Sequence, residues 1–232
     1  MENISGKIKV VAFDADDTLW DCQSQFVKVE EEYARLLSEY ASEKEISDSL
    51  FSVETANMPL LGYGCKAFMI SLVENAIQIS HGKVSAATIE TIINLGRTLL
   101  ELPSTPLPEV VEVLSYLKEK GYRLVVFTKG ELLDQENKLR RSGLLPFFCH
   151  VEIVSDKTPQ RVAEMCRDLQ ISPDELLMVG NSFKSDIIPA IESGAYAAHI
   201  PYKVMWAHEL TREFAHDRIF SLKHLGELKQ FV

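Results

Sequence analysis

The residues that decide the fold are Val10-Val11-Ala12-Phe13-Asp14-Ala15-Asp16-Asp17-Thr18-Leu19-Trp20. The apolar run from Ile8 to Phe13 predicts a buried strand, and this strand ends abruptly in a group of carboxylates. In an open α/β sheet the ligand site lies beyond the carboxyl ends of the strands, so these acids would lie at the mouth of a crevice. A plain acidic turn is the competing interpretation, because acidic residues are common in turns.

The spacing of the first two acids gives the stretch a chemical meaning. If strand geometry continues to Asp16, the side chains of Asp14 and Asp16 leave the chain on the same side, roughly 7 Å apart. Two like charges held that close require a cation or a shared proton. Mg²⁺ is the natural candidate, since this hard ion takes one or two carboxylates and leaves positions for water and phosphate.

Length and composition limit the classes of protein that the chain can be. It has 232 residues, of which 46% are hydrophobic, so it can form one large domain or a domain with an insertion. Its net charge of −10 argues against nucleic acid or an anionic membrane as a partner, since both favour a basic face. A phosphate can still be held where a few lysines and backbone N–H groups converge.

The cysteines and the N-terminus predict a cytoplasmic protein. Cys22, Cys65, Cys149 and Cys166 are widely scattered without a C-x-x-C pair, so neither a zinc site nor a disulfide framework is expected. The stretch beginning at Met1 has neither a basic region nor a long apolar region, and thus no visible signal peptide. No apolar run approaches 18 residues, so we expect no membrane span.

A block of helices follows the first strand. Helical spacing of apolar residues predicts four helices, at about 22–41, 43–57, 64–80 and 85–101. The glycines of the segment 59–64 predict a loop before the third of them, and the three prolines of the segment 102–108 predict a linker.

Strands and helices then alternate. Strands are expected at 123–127, 150–154, 176–179 and 196–200, with a short sixth at 218–222, and helices at 108–120, 131–142, 158–169 and 184–193. Such alternation predicts a Rossmann-like α/β fold with a parallel sheet. The first strand is too short to stand alone, so we expect a core domain of residues 1–20 and 105–232, with residues 21–104 inserted as a helical cap domain over the site.

Further polar residues follow the other strands. Thr128 and Lys129 follow the second strand and Lys157 the third, while the stretch from Asn181 to Asp186 follows the fourth. Each has a simpler explanation: Thr128 or Asn181 as a helix cap, Lys157 as a solvated lysine, Asp186 as a first-turn acid. Their occurrence together favours a shared site, because the ends of parallel strands meet at one edge.

These residue types suit phosphoryl transfer to a carboxylate. Asp14 would attack phosphorus and form an aspartyl-phosphate, and Asp16 would protonate the leaving oxygen and later take a proton from water. Mg²⁺ would screen the attacking carboxylate from the charge of the phosphate. Thr128, Lys157 and nearby backbone N–H groups would hold the equatorial phosphate oxygens.

The order of these motifs resembles the haloacid dehalogenase-like (HAD) hydrolase superfamily, subfamily I with a helical C1-type cap. Asp14-Ala15-Asp16-Asp17-Thr18 matches its first motif, Thr128 its second and Lys157 its third. Gly180-Asn181-Ser182 through Asp186 matches its fourth, acidic motif. The resemblance covers essentially the whole chain and implies a Mg²⁺-dependent phosphatase with Asp14 as nucleophile and Asp16 as acid and base.

The fourth motif departs from the family pattern in one place. Family members usually carry an acid directly after the glycine, as a metal ligand, and this chain has Asn181 there. The resemblance implies that Mg²⁺ contacts the Asp14 carboxylate and the Asp16 backbone carbonyl. The third ligand is either Asn181, whose amide brings no charge, or Asp186, directly or through water.

Other functions remain open at this point. Dehalogenases of the superfamily resemble this chain without the second aspartate, so Asp16 favours phosphate chemistry. A phosphomutase, a phospho-acceptor signalling module and a catalytically silent binding module are further alternatives, the last suggested by Asn181. The length and the insertion argue against a signalling receiver.

The cap is expected to select the substrate, a small phosphorylated metabolite of undetermined identity. Tyr63 and Lys66 would contact its leaving group, although a plain helix connection explains them equally well. Trp20 would line the entrance or anchor the hinge of the cap. The segment after the fifth strand, with Tyr202, Trp206, His208 and Glu209, offers a second wall. A monomer or a homodimer is expected.

Overall fold

A computed structural model describes residues 4–232 of the chain, which form two compact units. The sheet unit consists, within the described part, of residues 4–23, Ser104–Lys129 and Gln135–Val232. The helical unit consists of Ser24–Pro103 and Gly130–Asp134. The assignment of residues 21–104 to an inserted cap domain stays a prediction.

The sheet unit is built on six parallel strands. In chain order they are β1 (Val10–Phe13), β2 (Arg123–Lys129), β3 (His150–Val154), β4 (Leu176–Gly180), β5 (Tyr196–His199) and β6 (Ile219–Ser221). Their order in the sheet is β3-β2-β1-β4-β5-β6, with every neighbouring pair parallel. The predicted α/β fold with a Rossmann-like parallel sheet is confirmed.

Both faces of the sheet are buried, which explains why β1 is apolar at every position. Val11 and Phe13 belong to the core that includes α5 (Val110–Glu119). Val10 and Ala12 face the opposite core, which includes α7 (Pro159–Asp168). A parallel strand covered by helices on both sides has no solvated face, so it reads as a continuous hydrophobic run.

The strand register brings several loops to one edge. Phe13 is paired with Val126 of β2 on one side and with Val179 of β4 on the other. Asp14 therefore leaves β1 between the ends of its two neighbours. The strand β2 is longer than predicted, because Thr128 and Lys129 still pair with β3 instead of following the strand.

The helix after β4 also differs from the prediction of a single helix over 184–193. A π-helical turn covers Phe183–Ile187, and the α-helix proper, α8, covers only Ile188–Glu192. Ser182 caps the turn by accepting a hydrogen bond from the backbone N–H of Ser185. A single π-helical turn is often found at a functional site.

The helical unit contains four helices: α1 (Gln23–Leu36, whose first residue belongs to the sheet unit), α2 (Glu43–Leu61), α3 (Cys65–Ile79) and α4 (Ala86–Leu100). A further helix, α6 (Leu132–Arg141), follows β2. Helix α2 begins at a capping box formed by Ser42 and Glu45, which satisfies two N-terminal donors. The loop predicted for 59–64 is wrong in part, because α2 continues through Pro59 to Leu61, and Gly62 is its C-cap.

Two absences hold for residues 4–232. All four cysteines are free thiols, as expected. No helix in this part of the chain combines the length and the apolar character needed to cross a membrane.

Two glutamates of the helical unit lie in a partly desolvated environment. Burial raises the pKa of Glu30 on α1 to about 7. Burial, and then the charge of Glu30, raise the pKa of Glu54 on α2 to about 8. Both side chains therefore favour the neutral form, and their ionisation opposes folding.

This pair predicts a pH-dependent stability. Between its ordinary pKa of 4.5 and about 8, Glu54 binds more protons in the folded state than in the unfolded chain, so stability falls as pH rises. Glu54→Gln cannot ionise, so we expect a higher urea midpoint than wild type at about pH 8.5 and a much smaller gain at about pH 5. Glu90→Gln, an exposed glutamate of α4, is the matched control. Equal gains at both pH values would contradict the prediction.

Candidate active site

The centre of the site is a buried lysine that joins two carboxylates. Lys157, between β3 and α7, donates to Oδ1 of Asp14 and, over 2.6 Å, to Oδ1 of Asp186. Burial raises the pKa of Asp14 to about 7, although the charge of Lys157 acts in the opposite direction. The two carboxylates hold the pKa of Lys157 above its usual range despite its burial. Lys157 therefore stays charged and holds Asp14 in place.

Asp186 is fixed by the backbone of the fourth motif. Its Oδ2 accepts the N–H of Ser182 over 2.9 Å, and its other oxygen faces Lys157. The carboxylate lies against Gly180, where a Cβ would come within 2.2 Å of Asp186 Oδ2. Only glycine fits at this position without displacing the carboxylate.

Three oxygen atoms lie close together at the end of β1: Oδ2 of Asp14, the backbone oxygen of Asp16 and Oδ1 of Asn181. In one orientation of its amide, Asn181 Oδ1 lies 3.2 Å from Asp14 Oδ2 and 3.2 Å from the backbone oxygen of Asp16. In the other orientation, the Asn181 amide N–H₂ donates to the same two oxygens. The hydroxyl of Thr18 lies beside this group, 3.2 Å from Asp14 Oδ2 and 3.1 Å from the Asn181 side chain.

This oxygen group fits a magnesium ion. Mg²⁺ binds oxygens octahedrally at about 2.1 Å, which places neighbouring ligand oxygens about 3 Å apart. A carboxylate, a backbone carbonyl and an amide oxygen are all suitable donors. The described residues contain no cluster of three His, Cys, Asp or Glu side chains suited to a metal, so any ion here would rely on the two neutral oxygens. Asp186 is directed instead to Lys157.

Asp16 is held by three other side chains. Its Oδ1 accepts from Trp20 Nε1 over 2.7 Å and from Lys138 Nζ over 2.9 Å. Its Oδ2 accepts from Gln135 Nε2 over 2.8 Å and from Lys138 Nζ over 2.8 Å. Burial alone would raise the pKa of Asp16, but the charge of Lys138 and these hydrogen bonds lower it below its ordinary value. Asp16 is therefore ionised.

The third acid of the first motif has a structural role. Asp17 adopts a left-handed backbone conformation with a φ of 63°. Its carboxylate accepts the N–H of Cys22 over 2.8 Å and that of Gln23 over 3.0 Å, at the start of α1. Burial raises its pKa to about 7. Asp17 thus closes the loop after β1.

The lysine at the end of β2 is also paired. Lys129 forms an ion pair with Glu209 and donates to Ser185 Oγ over 2.7 Å. Its ammonium lies 5.9 Å from the centre of the Trp206 ring. Glu209 also accepts from the hydroxyls of Ser182 and Ser185. The segment after β5 therefore reaches the strand ends, and Lys129, predicted to bind substrate, is mainly engaged by Glu209.

The remaining candidates lie in different surroundings. Thr128 is buried in β2. Trp20, predicted to contact substrate, is only 1% exposed, so its ring presents almost no surface and its N–H is occupied by Asp16. Tyr63 and Lys66 belong to the helical unit, where Lys66 pairs with Glu131. Tyr202 donates to Asp21 Oδ1 over 2.7 Å.

Sequence reasoning missed Gln135 and Lys138. They lie three residues apart on α6, so they share one face of the helix, and both are buried. Leu132 and Leu133 of the same helix are exposed. A helix that buries three polar residues and exposes two of its three leucines cannot be predicted from a hydrophobic pattern.

Comparison with protein families agrees with this arrangement. Residues 8–194 match the family model described as hydrolase, haloacid dehalogenase-like hydrolase. The matched segment includes all four motifs that the sequence predicts.

Curated relatives carry a more specific name. The chain is 32% identical over 213 residues to the glyceraldehyde 3-phosphate phosphatase of Methanothermobacter thermautotrophicus, which covers 82% of this chain and 84% of the relative. It is 27% identical over 200 residues to the enzyme of the same name from Methanopyrus kandleri, covering 83% and 84% of the two chains.

A solved structure shares the fold closely. The haloacid dehalogenase-like family hydrolase from Xanthomonas campestris superposes with a TM-score of 0.87 at 29% identity, covering 95% of this chain and 88% of that one. The resemblance to the haloacid dehalogenase-like superfamily is confirmed, whereas subfamily I with a C1-type cap stays a prediction. The chain belongs to the haloacid dehalogenase-like hydrolase family and is an enzyme of its phosphatase branch.

Proposed function

We propose that the protein is a Mg²⁺-dependent phosphomonoesterase that acts on a small phosphorylated metabolite through an aspartyl-phosphate on Asp14. The observation that supports this most is the position of Asp14. One of its oxygens is held by the buried Lys157, and the other lies in the group of oxygens formed with Asp16 and Asn181. A carboxylate held in this way is oriented for attack on phosphorus.

In the first half-reaction, a bond forms between Asp14 and phosphorus while the ester bond to the leaving oxygen breaks. Lys157 supplies positive charge beside the attacking carboxylate, where negative charge accumulates on the phosphoryl oxygens. Thr128, the second-last residue of β2, would donate its hydroxyl to the phosphoryl group. Asp16 would serve the leaving oxygen as acid when it carries the proton taken from water in the preceding turnover.

In the second half-reaction, water attacks phosphorus and the bond to Asp14 breaks. Asp16 would take a proton from that water, and its ionised state in the structure suits this step. Asp14 then leaves as a carboxylate, ready for another cycle. Splitting the displacement into two steps is the advantage of covalent catalysis.

Asp14 Oδ2, the backbone oxygen of Asp16 and Asn181 Oδ1 would hold Mg²⁺. When bound, Mg²⁺ would act as a Lewis acid that neutralises charge between the carboxylate and the phosphate. Because two of these three ligands are neutral, we expect weaker binding than at a site with a second carboxylate.

The names of the relatives suggest where to look for the substrate. Glyceraldehyde 3-phosphate is the substrate named for two relatives, so we propose three-carbon phosphate esters as the first class to test. We propose that the helical unit acts as a C1-type cap domain and provides substrate selectivity, with Tyr63 and Lys66 as candidate contacts.

Replacement of the nucleophile should abolish turnover. Asp14→Asn keeps the shape of the side chain but removes the attacking charge, so we expect the rate with 4-nitrophenyl phosphate to fall by roughly 10³-fold or more. EDTA should abolish wild-type activity, and excess Mg²⁺ should restore it. Asp48→Asn, at the exposed surface of α2, is the matched control and should retain full activity. An active Asp14→Asn variant would rule out the aspartyl-phosphate route.

Restoring a charge at the fourth motif should strengthen metal binding. Asn181→Asp adds a carboxylate beside Asp14 and Asp16, so we expect the dissociation constant for Mg²⁺ to fall by about tenfold in isothermal titration calorimetry. Asn94→Asp adds the same charge to the exposed surface of α4 and should leave the constant unchanged. If Asn181→Asp also leaves it unchanged, Asn181 is not a ligand.

A further inference from the structure

Three lysines, two of them buried and Lys129 half-buried, lie around the ends of the central strands, and each is paired with at least one acid. Lys157 holds Asp14 and Asp186, and Lys129 holds Glu209. The third, Lys138, comes from α6 instead of a strand end and is paired with Asp16. Its side chain is only 3% exposed, whereas the side chain of Asp16 is 27% exposed. No step of the proposed reaction yet accounts for this lysine.

The hydrogen bonds on Asp16 are complete. An ionised carboxylate has about four lone-pair sites, two on each oxygen. Trp20 and Lys138 fill those of Oδ1, and Gln135 and Lys138 fill those of Oδ2. Asp16 can therefore accept a hydrogen bond from water only if one of these donors moves.

Lys138 is the donor that can free a lone pair while it stays bound to Asp16. Trp20 and Gln135 each hold only one oxygen of the carboxylate. Lys138 contacts both oxygens, and a shift of its ammonium towards one of them frees a lone pair on the other while the ion pair is kept. Its neighbour on the other side is the Cys22 sulfur, 3.9 Å away.

We propose that Lys138 is a positioning residue for Asp16 in the hydrolysis of phosphorylated Asp14. This inference rests on the proposed function. In this half-reaction the water oxygen bonds to phosphorus, the bond from phosphorus to Asp14 breaks, and the proton of the water passes to Asp16. Lys138 keeps Asp16 oriented as the acceptor, while the first half-reaction with a good leaving group needs no proton from Asp16.

The two half-reactions can be separated with 4-nitrophenyl phosphate. Its leaving group departs as a stable anion in the first half-reaction. If hydrolysis of the phosphorylated protein is the slower step, rapid mixing shows a burst of nitrophenol from the first half-reaction, and the steady-state rate reports the hydrolysis. In Lys138→Met we expect a burst of about one nitrophenol per active site, followed by a kcat lowered by about tenfold or more. Acid quenching should recover the phosphorylated protein.

A double-mutant cycle tests whether Lys138 acts through Asp16. Asp16→Asn alone should lower kcat more than Lys138→Met does, and the double variant should show no further loss. Arg140→Met, which removes an exposed cation of the same helix, is the matched control and should behave as wild type. A multiplicative loss in the double variant would show that Lys138 acts independently and would overturn the proposal.

If the burst rate and kcat of Lys138→Met both fall by the same factor, Lys138 has a general structural role. This result would also overturn the proposal. Removal of a buried cation can prevent folding, which circular dichroism would reveal. Gln135→Leu then provides the second test, because it removes one donor on Asp16 without leaving the carboxylate unpaired. We expect a retained burst with a lowered kcat, and an unchanged kcat would refute the proposal. A wild type without turnover would instead refute the proposed function, before any variant is compared.

Discussion

The ion pairs of Lys157 with Asp14 and Asp186 are the interaction on which the site depends. Asp14 leaves β1 and Asp186 lies after β4, so without a cation between them two buried carboxylates would repel each other. Burial of an unpaired charge costs several kcal/mol, whereas a buried pair with full hydrogen bonding is tolerated. Lys157 thus makes it possible to bury Asp14, the proposed nucleophile, away from water, where its charge would act most strongly on a substrate.

The same local pairing explains how an acidic protein can take an anionic substrate. The net charge is −10, yet two buried lysines and the half-buried Lys129 lie at the strand ends, each paired with at least one acid. Paired charges cancel at a distance but act strongly over a few ångströms, because the surrounding protein screens less than water. The whole-chain charge therefore excludes partners that need a broad basic face, and it says little about a phosphate held at one point.

Sequence reasoning reached the residues that strand ends determine, and it missed those that depend on packing. Asp14, Lys157 and Asn181 follow strands whose apolar pattern is clear, and parallel strands bring their ends together. Gln135 and Lys138 reach Asp16 from α6, whose orientation follows from the tertiary fold. Local patterns also gave the wrong end for α2, because this helix continues through Pro59 although proline lacks the N–H of one intrahelical hydrogen bond.

The amide at position 181 illustrates how one residue can satisfy two states. Without a cation, its N–H₂ can donate to the oxygens of Asp14 and Asp16, so no buried acceptor is left without a donor. With the amide reversed, the Asn181 oxygen would be the third ligand of Mg²⁺, beside the oxygens of Asp14 and Asp16. An aspartate could do only the second, and without a cation it would add a further negative charge beside Asp14. Compared with aspartate, asparagine would therefore bind the ion more weakly, but it adds no charge repulsion to the site when the ion is absent.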